Sequence, residues 1–225
     1  YREVAPLSIS PRDFLNNKDE LNIYKYTQSY LSSGVPGTVA GLVYAVRHYG
    51  HLSLAQDIAP AILLASKGFV VSQGLAIAIH QAQSRLYKDL TTRKIFFKQG
   101  GVPYRQGDIM RRPDLANTLQ LIAKYGDKGF YNGFVADQIV KASDAHGGKI
   151  THRDLSTYRV VVRKPIIGHY HGFDIIGAPP PSSGGIIINE MLNILKGFDV
   201  SKLGFNNADY LHVISEVMDL GFLDR

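Results

Sequence analysis

The sequence predicts an α+β fold that is mostly helical, with a small β-sheet in its C-terminal third. In the first two thirds of the chain, apolar residues recur at helical spacing, as Val39, Leu42, Val43 and Val46 do. From Tyr158 onward, β-branched and aromatic runs are separated by turns rich in Gly and Pro, which is typical of strands. Because the helices precede the strands instead of alternating with them, an α+β arrangement is favoured over α/β.

Several helices are expected before the strands. They are predicted over residues 38–50, 54–68, 73–86, 113–126 and 134–147. Pro113 suits a first helical turn, and Gly68 and Gly126 suit helix ends. Pro60 is expected to bend or split the second helix. Residues 91–105 are predicted to form a short hairpin or loop, because they carry a compact apolar run between polar stretches.

The C-terminal third is expected to hold three short strands and two helices. The strands are predicted over residues 160–162, 166–167 and 173–176, and the helices over residues 186–195 and 208–225. Just before this region, Thr151 and Asp154 have the spacing of a capping box at a helix start.

We expect residues 1–225 to form a single partial domain that is an excerpt of a larger precursor. Residues 1–157 are expected to be mainly helical, and residues 158–225 to carry strands and then two helices. The chain begins with Tyr1 instead of Met, so any signal peptide would lie outside it.

The composition excludes several classes of site. With 0 Cys, the chain has no disulfide framework, thiolate metal site or cysteine nucleophile. No apolar run approaches the roughly 20 residues that a membrane-spanning helix needs. The net charge of +6 comes from basic residues interleaved with acidic ones, and no nucleic-acid-binding motif accompanies it. We therefore expect neither a membrane span in this segment nor a nucleic-acid partner.

The turn at residues 182–185 is the most unusual segment. Three prolines precede Ser182, Ser183, Gly184 and Gly185, which open a helix. Free amides and hydroxyls at a helix start could hold a carboxylate or phosphate. The alternative is a serine N-cap, with glycine where the backbone is crowded. A serine nucleophile is disfavoured because the Gly-x-Ser-x-Gly motif is absent.

Two other patterns lead to no cofactor. The Gly34–Thr38 turn lacks the lysine that a phosphate-binding loop requires. His169 and His171 would share one strand face, but Asp174 is expected on the opposite face, so exposed edge-strand histidines are favoured over a metal site. We expect no metal and no organic cofactor.

Five blocks of the sequence share their order with one enzyme family. They are Tyr-Arg-Glu-Val-Ala-Pro at residues 1–6, Gly-Val-Pro-Gly-Thr-Val-Ala-Gly at 34–41, Gly-Phe-Tyr-Asn-Gly at 129–133, Gly-Gly-Lys-Ile-Thr at 147–151 followed by Asp154-Leu155, and Pro-Pro-Pro-Ser-Ser-Gly-Gly at 179–185. In these blocks the chain resembles the heavy-chain half of the gamma-glutamyltranspeptidases, also called glutathione hydrolases. The end at residues 222–225 is similar to the family's end of the heavy chain.

The resemblance implies the mostly helical heavy-chain portion of an N-terminal-nucleophile hydrolase, whose fold has αββα layers. Such an enzyme is made as one precursor that cuts itself, and the threonine that begins the light chain is the nucleophile. That threonine is expected beyond Arg225, so this chain carries no catalytic residue. Arg2 matches the family arginine that binds the α-carboxylate of the γ-glutamyl group, a task that suits a planar guanidinium. Ser182, Ser183, Gly184 and Gly185 are expected only as a structural signature near the site.

The resemblance further implies small-molecule substrates, namely glutathione, other γ-glutamyl compounds and acceptor amino acids, and the precursor's own light chain as partner. It implies a periplasmic or extracellular location. A γ-glutamyl polymer depolymerase or a β-lactam side-chain acylase remains an alternative within the superfamily. A non-catalytic binding module with the same fold is the alternative from another class. Gly221 in the last helix departs from the family, where alanine is usual.

Overall fold

The computed structural model describes residues 4–225. The chain divides into two compact units, Tyr1–Val160 and Val161–Arg225. The first unit contains ten α-helices and one small sheet within the described residues, and the second contains one hairpin and two helices.

The first unit is almost entirely helical. Its helices are α1 (Ile23–Thr27), α2 (Thr38–Tyr49), α3 (Leu54–Lys67), α4 (Gln73–Gln81), α5 (Gln83–Leu86), α6 (Leu90–Phe96), α7 (Pro113–Tyr125), α8 (Lys128–Tyr131), α9 (Phe134–Ala145) and α10 (His152–Thr157). Strands β1 (Phe69–Val70) and β2 (Ile109–Met110) form an antiparallel pair. Short 3-10 turns lie at Pro11–Phe14, Tyr30–Ser32 and Gln99–Gly101.

The helix ends follow the sequence signals. Pro113 occupies the first turn of α7, where its missing amide donor costs nothing. Gly68 and Gly126 end α3 and α7 with φ angles of 101° and 67°, which L-residues with a Cβ rarely adopt. Thr151 and Asp154 form both hydrogen bonds of the predicted capping box at the start of α10.

Two local predictions in this unit need correction. Pro60 lies inside α3, which runs without interruption to Lys67, so of the two predicted effects, a bend or a split, the split does not occur. Proline removes only its own amide donor, and the packing of α3 along α7 maintains the remaining turns. Residues 91–105 do not begin as a hairpin or loop, because α6 covers their first part. Asp89 starts that helix by accepting a hydrogen bond from the Thr92 amide at 2.6 Å.

The core of the first unit has two apolar clusters. The larger cluster consists of Val35, Tyr131, Ala136, Val140, Ile150, Leu155 and Tyr158. The smaller cluster contains Val71, Ile79 and Met110, below the short sheet. The larger cluster is built from α8, α9, α10 and the loops before α2 and α10, and it places the candidate site described below.

The second unit consists of a β-hairpin followed by two helices, the first of which covers one face of the hairpin. Strands β3 (Ile166–Tyr170) and β4 (Phe173–Gly177) are antiparallel, and helices α11 (Gly184–Leu195) and α12 (Ala208–Leu223) follow. Helix α11 packs on the hairpin and on α12, and a short 3-10 turn spans Val200–Lys202. The predicted strand over residues 160–162 does not form, because the only strand pairing described in this unit is that between β3 and β4.

The hairpin register corrects one prediction about its histidines. His169 is the cross-strand partner of Asp174, and cross-strand partners project from the same face of a sheet. The His169 Nδ1 atom lies 2.6 Å from Asp174 Oδ1, and both side chains are exposed. Asp174 is therefore not on the opposite face. The prediction of an exposed strand residue is confirmed for His169 and wrong for His171, which lies in the turn after β3 with a φ angle of 46°.

Candidate functional site

The described chain begins with an N-terminal segment, residues 4–10, which follows Arg2 and Glu3 in the sequence and contains a turn at Leu7 and Ser8. Arg2 itself lies outside the described residues. The Val35 amide donates to the Val4 carbonyl at 2.8 Å, and these residues form an isolated antiparallel bridge. Val4 packs on the larger apolar cluster, and Pro6 is buried. The segment is therefore fixed to the loop that precedes α2.

Asp154 holds the same segment at a second point. The Leu7 amide donates to Asp154 Oδ1 at 2.7 Å, across 147 residues of sequence. The other carboxylate oxygen accepts from the Thr151 amide at 2.8 Å and from the Thr151 hydroxyl at 2.6 Å. Burial alone would raise the pKa of Asp154, but the hydrogen bonds from Thr151 and Leu7 together lower it below the ordinary value. The group is thus a buried carboxylate anion with three donors.

Lys149 provides a third attachment. Its Nζ atom lies 2.7 Å from Asp13 Oδ1 and donates to the Ser8 carbonyl at 3.3 Å. Hydrogen bonds from Lys149 and from the Ser10 amide keep the pKa of Asp13 below its usual value. Lys149 in the loop before α10 and Asp154 in α10 therefore both hold the N-terminal segment.

Tyr131 links the start of α2 to the same cluster. Its hydroxyl donates to the Pro36 carbonyl at 2.6 Å and accepts from the Ala40 amide at 3.3 Å. The ring is 6% exposed and stacks on Tyr158 with centroids 5.6 Å apart. Burial raises the pKa of Tyr131 to about 12, so the phenol is neutral and able to donate at physiological pH.

These contacts join four of the five sequence blocks into one structure. We call Val4, Leu7, Val35, Tyr131 and Asp154 the motif cluster, because each bonds a partner in a different block or in the segment beside it. A pocket of about 510 Å³ beside the cluster is lined by Val4, Ala5, Ser32, Gly34, Val35, Pro36, Gly37 and Thr38. Val4 and Ala5, which follow Arg2 and Glu3 in the sequence, thus line a pocket.

The fifth block lies in the second unit. Ser183 occupies the N-cap position of α11 but makes no side-chain capping hydrogen bond, so the serine-cap alternative is not what orders this turn. The other part of that alternative, crowding of the backbone, is confirmed at Gly185. A Cβ there would overlap the Ala178 carbonyl oxygen and lie 3.0 Å from the Gly177 carbonyl carbon. A Cβ added at Gly184 would not be crowded, because its nearest neighbour would be Ser182 Oγ at 3.7 Å.

The described residues contain neither a cluster of metal ligands nor a membrane-spanning helix. Across residues 4–225, no three His, Asp or Glu side chains are grouped so that they could hold a metal ion. Over the same range, no helix combines the length and apolar character of a membrane span.

The sequence pattern did not reveal the long-range partners of Lys149, Tyr131 and Asp154. The spacing of Thr151 and Asp154 indicated only a local helix cap. The available signal was that all three residues lie inside the blocks that resemble the family. Two of the blocks, at residues 129–133 and 147–155, contain the side chains that bond the other two.

Comparison with known proteins shows the origin of these blocks. The sequence matches the family described as gamma-glutamyltranspeptidase over residues 1–225. This chain belongs to the gamma-glutamyltranspeptidase family. A glutathione hydrolase proenzyme of Pseudomonas sp. strain A14 is 39% identical over 225 residues, which cover 100% of this chain and 39% of that protein. The chain therefore spans well under half the length of this relative.

Solved structures of gamma-glutamyltranspeptidase relatives share the fold. The Helicobacter pylori gamma-glutamyltranspeptidase matches with a TM-score of 0.95 at 41% identity, covering 100% of this chain and 64% of that one. A cephalosporin acylase from Bacillus halodurans matches with a TM-score of 0.84 at 31% identity, covering 99% and 41% of the two chains. The expected fold, the mostly helical portion of an N-terminal-nucleophile hydrolase with a small sheet in its C-terminal third, is confirmed.

Proposed function

We propose that this chain is the heavy-chain part of a γ-glutamyltransferase and glutathione hydrolase, which acts on glutathione or related γ-glutamyl amides. The observation that carries the proposal is the motif cluster, in which four family blocks hold the segment that follows Arg2. Membership in the gamma-glutamyltranspeptidase family over all 225 residues supports the same conclusion.

Arg2 is proposed to bind the α-carboxylate of the γ-glutamyl donor. A guanidinium presents parallel N–H donors that match the two oxygens of a carboxylate. Binding that depends on the segment's position requires the segment to be fixed, and Val4 and Leu7 fix it. Ser182, Ser183, Gly184 and Gly185 are proposed as a structural signature near the site, with Gly185 allowing α11 to begin against the end of β4.

The proposed reaction uses a nucleophile from the light chain. The hydroxyl of its N-terminal threonine attacks the γ-glutamyl carbonyl carbon, and the threonine's own α-amine accepts the hydroxyl proton. The carbon–nitrogen bond of the amide then breaks, and the leaving amine takes that proton. Water or an acceptor amino acid attacks the resulting γ-glutamyl ester and releases the threonine. The heavy chain's task in this scheme is to bind and orient the donor.

The precursor's own light chain is the proposed partner, and the relative's description as a proenzyme supports a processed precursor. The outer face of the hairpin is consistent with such a partner, because Ile167 and Ile176 are cross-strand neighbours that are 58% and 70% exposed. Paired aliphatic side chains on a sheet face are normally covered. We propose a periplasmic or extracellular location, and neither nucleic acid nor cofactor has a place in this function.

The match to a cephalosporin acylase supports a second candidate of the same superfamily, the hydrolysis of a β-lactam side-chain amide. The two candidates differ in the acyl group that is transferred and in the amine that leaves. Parallel assays of the purified enzyme on a γ-glutamyl anilide and on a cephalosporin side-chain amide separate them.

The proposed function is tested with the full precursor, purified without denaturation and analysed by intact mass and N-terminal sequencing. We expect two chains, the smaller one beginning with threonine. Arg2→Ala is expected to leave this cleavage intact while raising the KM for the γ-glutamyl donor about tenfold or more, because a charge-assisted pair is lost. Arg2→Lys is expected to restore binding only in part, since an ammonium group lacks the planar fork.

Two results would contradict the proposal. A single uncut chain would favour the non-catalytic binding module. A normally processed Arg2→Ala enzyme with unchanged donor KM would remove Arg2 from the binding site.

A further inference from the structure

The carboxylate of Asp154 is buried, yet its Oδ1 atom bonds a backbone amide that lies far away in the sequence. Asp154 is 4% exposed, and its Oδ1 atom accepts a hydrogen bond from the Leu7 amide at 2.7 Å. We propose that Asp154 is a positioning residue for Arg2, which fixes the N-terminal segment through Leu7 and thereby sets the affinity for the γ-glutamyl donor. This inference rests on the proposed function, because it takes Arg2 as the group that binds the donor carboxylate.

The geometry limits the reach of Arg2 through two attachment points. Val4 is attached to Val35, and Leu7, three residues later, is attached to Asp154. Two residues of chain extend at most about 7 Å, so the position of Val4 restricts the region that the Arg2 side chain can reach. With the Leu7 attachment lost, residues 4–7 would be held by the Val4–Val35 bridge, the packing of Val4 and the buried Pro6.

The hydrogen bond of Leu7 has no substitute in side-chain packing at that residue. The Leu7 side chain is 66% exposed, so it contributes little apolar anchoring. An ionised acceptor makes the stronger class of hydrogen bond, and this one is partly buried. Lys149 holds the chain one residue farther from Arg2, at the Ser8 carbonyl, and again at Asp13.

The competing explanation is that Asp154 serves only as the cap of α10. Thr151 is the appropriate control, because its hydroxyl makes the capping contacts without touching Leu7. Thr151→Ala removes that hydroxyl and keeps the Leu7 bond to Oδ1. Asp154→Ala removes both. Leu7→Pro removes the amide donor and leaves Asp154 and its cap in place.

The test measures donor KM and kcat of the processed enzyme from the full precursor, using a chromogenic γ-glutamyl anilide. Asp154→Ala and Leu7→Pro are each expected to raise donor KM about tenfold with a smaller change in kcat, and Thr151→Ala to change KM less than about threefold. In an Arg2→Ala background, Asp154→Ala is expected to have little further effect on KM, because both substitutions act through the same contact.

The outcomes separate this inference from the proposed function. If Arg2→Ala leaves KM unchanged, the role of Arg2 fails and the inference falls with it. If Arg2→Ala raises KM but Asp154→Ala and Leu7→Pro do not, only the inference is overturned. The inference is also overturned if Thr151→Ala raises the donor KM as much as Asp154→Ala does. It is overturned as well if Asp154→Ala raises the donor KM by the same factor in the Arg2→Ala background as in the wild type. If Asp154→Ala gives no processed enzyme, Leu7→Pro replaces it in the double-mutant comparison with Arg2→Ala.

Discussion

Tyr131 shows how a single hydroxyl can join two sequence blocks. It donates to Pro36 and accepts from Ala40, which places it between the turn before α2 and the first turn of that helix. An amide at a helix start needs an acceptor outside the helix, and here a tyrosine from α8 supplies it. The residue therefore fixes the loop to which the N-terminal segment is attached.

Tyr131→Phe is expected to destabilise the enzyme by about 1–3 kcal/mol, because it leaves the partly buried Ala40 amide and Pro36 carbonyl without this partner. The measurement is the thermal midpoint of the processed enzyme. Tyr24→Phe is the matched control, since that ring is 64% exposed, and it is expected to have almost no effect. Equal midpoints for Tyr131→Phe and wild type would contradict the role given to the hydroxyl.

The same substitution predicts a change in pH dependence. Burial raises the pKa of Tyr131 to about 12 in the folded state, above the ordinary tyrosine value of 10.0. Its stabilising contribution is therefore complete below pH 10 and is lost as the pH rises toward 12. We expect part of the alkaline fall in thermal midpoint to disappear in Tyr131→Phe and to persist in Tyr24→Phe.

At the scale of elements, α11 can lie on the hairpin only because both surfaces lack side chains at their contact. A Cβ on Gly177 would lie 2.5 Å from the Gly185 Cα, and one on Gly168 would overlap the Asn189 side chain. Asn189 is itself buried and bonds the Gly185 carbonyl at 2.7 Å. The backbones therefore approach closely at Gly177 and Gly185, which explains the second glycine of the fifth block, Gly185.

Gly185→Ala is expected to destabilise the second unit by several kcal/mol, because the new methyl group meets backbone atoms that cannot rotate away. Gly184→Ala is the control one residue earlier, where the added Cβ meets only ordinary contacts. Soluble yield and thermal midpoint of the full precursor distinguish them. Similar midpoints for the two variants would show that the hairpin tolerates movement of α11.

Gly221 in α12 has a related explanation. An alanine would favour the helix by about 1 kcal/mol. A Cβ at this position, however, would lie 2.6 Å from Met191 Cε and 3.2 Å from Ile187 Cγ2 of α11. A glycine at this residue therefore fits the close packing of the two helices.

At the scale of the whole molecule, residues 1–225 leave large apolar side chains uncovered. The outer face of the hairpin exposes Ile167 and Ile176, and in the first unit Leu63 and Leu64 are both more than half exposed. A two-stranded hairpin gains its stability from what covers it, and here one face is covered by α11 while the other is open. The chain thus resembles one part of a larger core.

We expect residues 1–225, expressed alone, to show no cooperative thermal unfolding transition and no γ-glutamyl transfer. The physical reason is that the exposed apolar faces need a partner and that the proposed threonine belongs to the light chain. Calorimetry of the isolated chain, with the processed enzyme as control, is the measurement. A sharp transition in the isolated chain would contradict the shared core.

The sequence by itself determined most of the helices and the family. Spacing of apolar residues, Pro113, Gly68, Gly126 and the Thr151 capping box act within a few residues, so they can be recognised locally. The two exceptions have different causes. Residues 91–105 begin as a helix because Asp89 caps it, and residues 160–162 have no strand partner among the described residues.

Only the tertiary structure decided which blocks meet. The bond from Leu7 to Asp154 spans 147 residues, and the bonds of Tyr131 to Ala40 and Pro36 span 91 and 95. No periodicity or spacing encodes such pairs, because each partner is an ordinary backbone group whose neighbour is set by the packing of helices. The sequence thus identified the blocks, and the packing of the helices decided that these blocks hold the N-terminal segment.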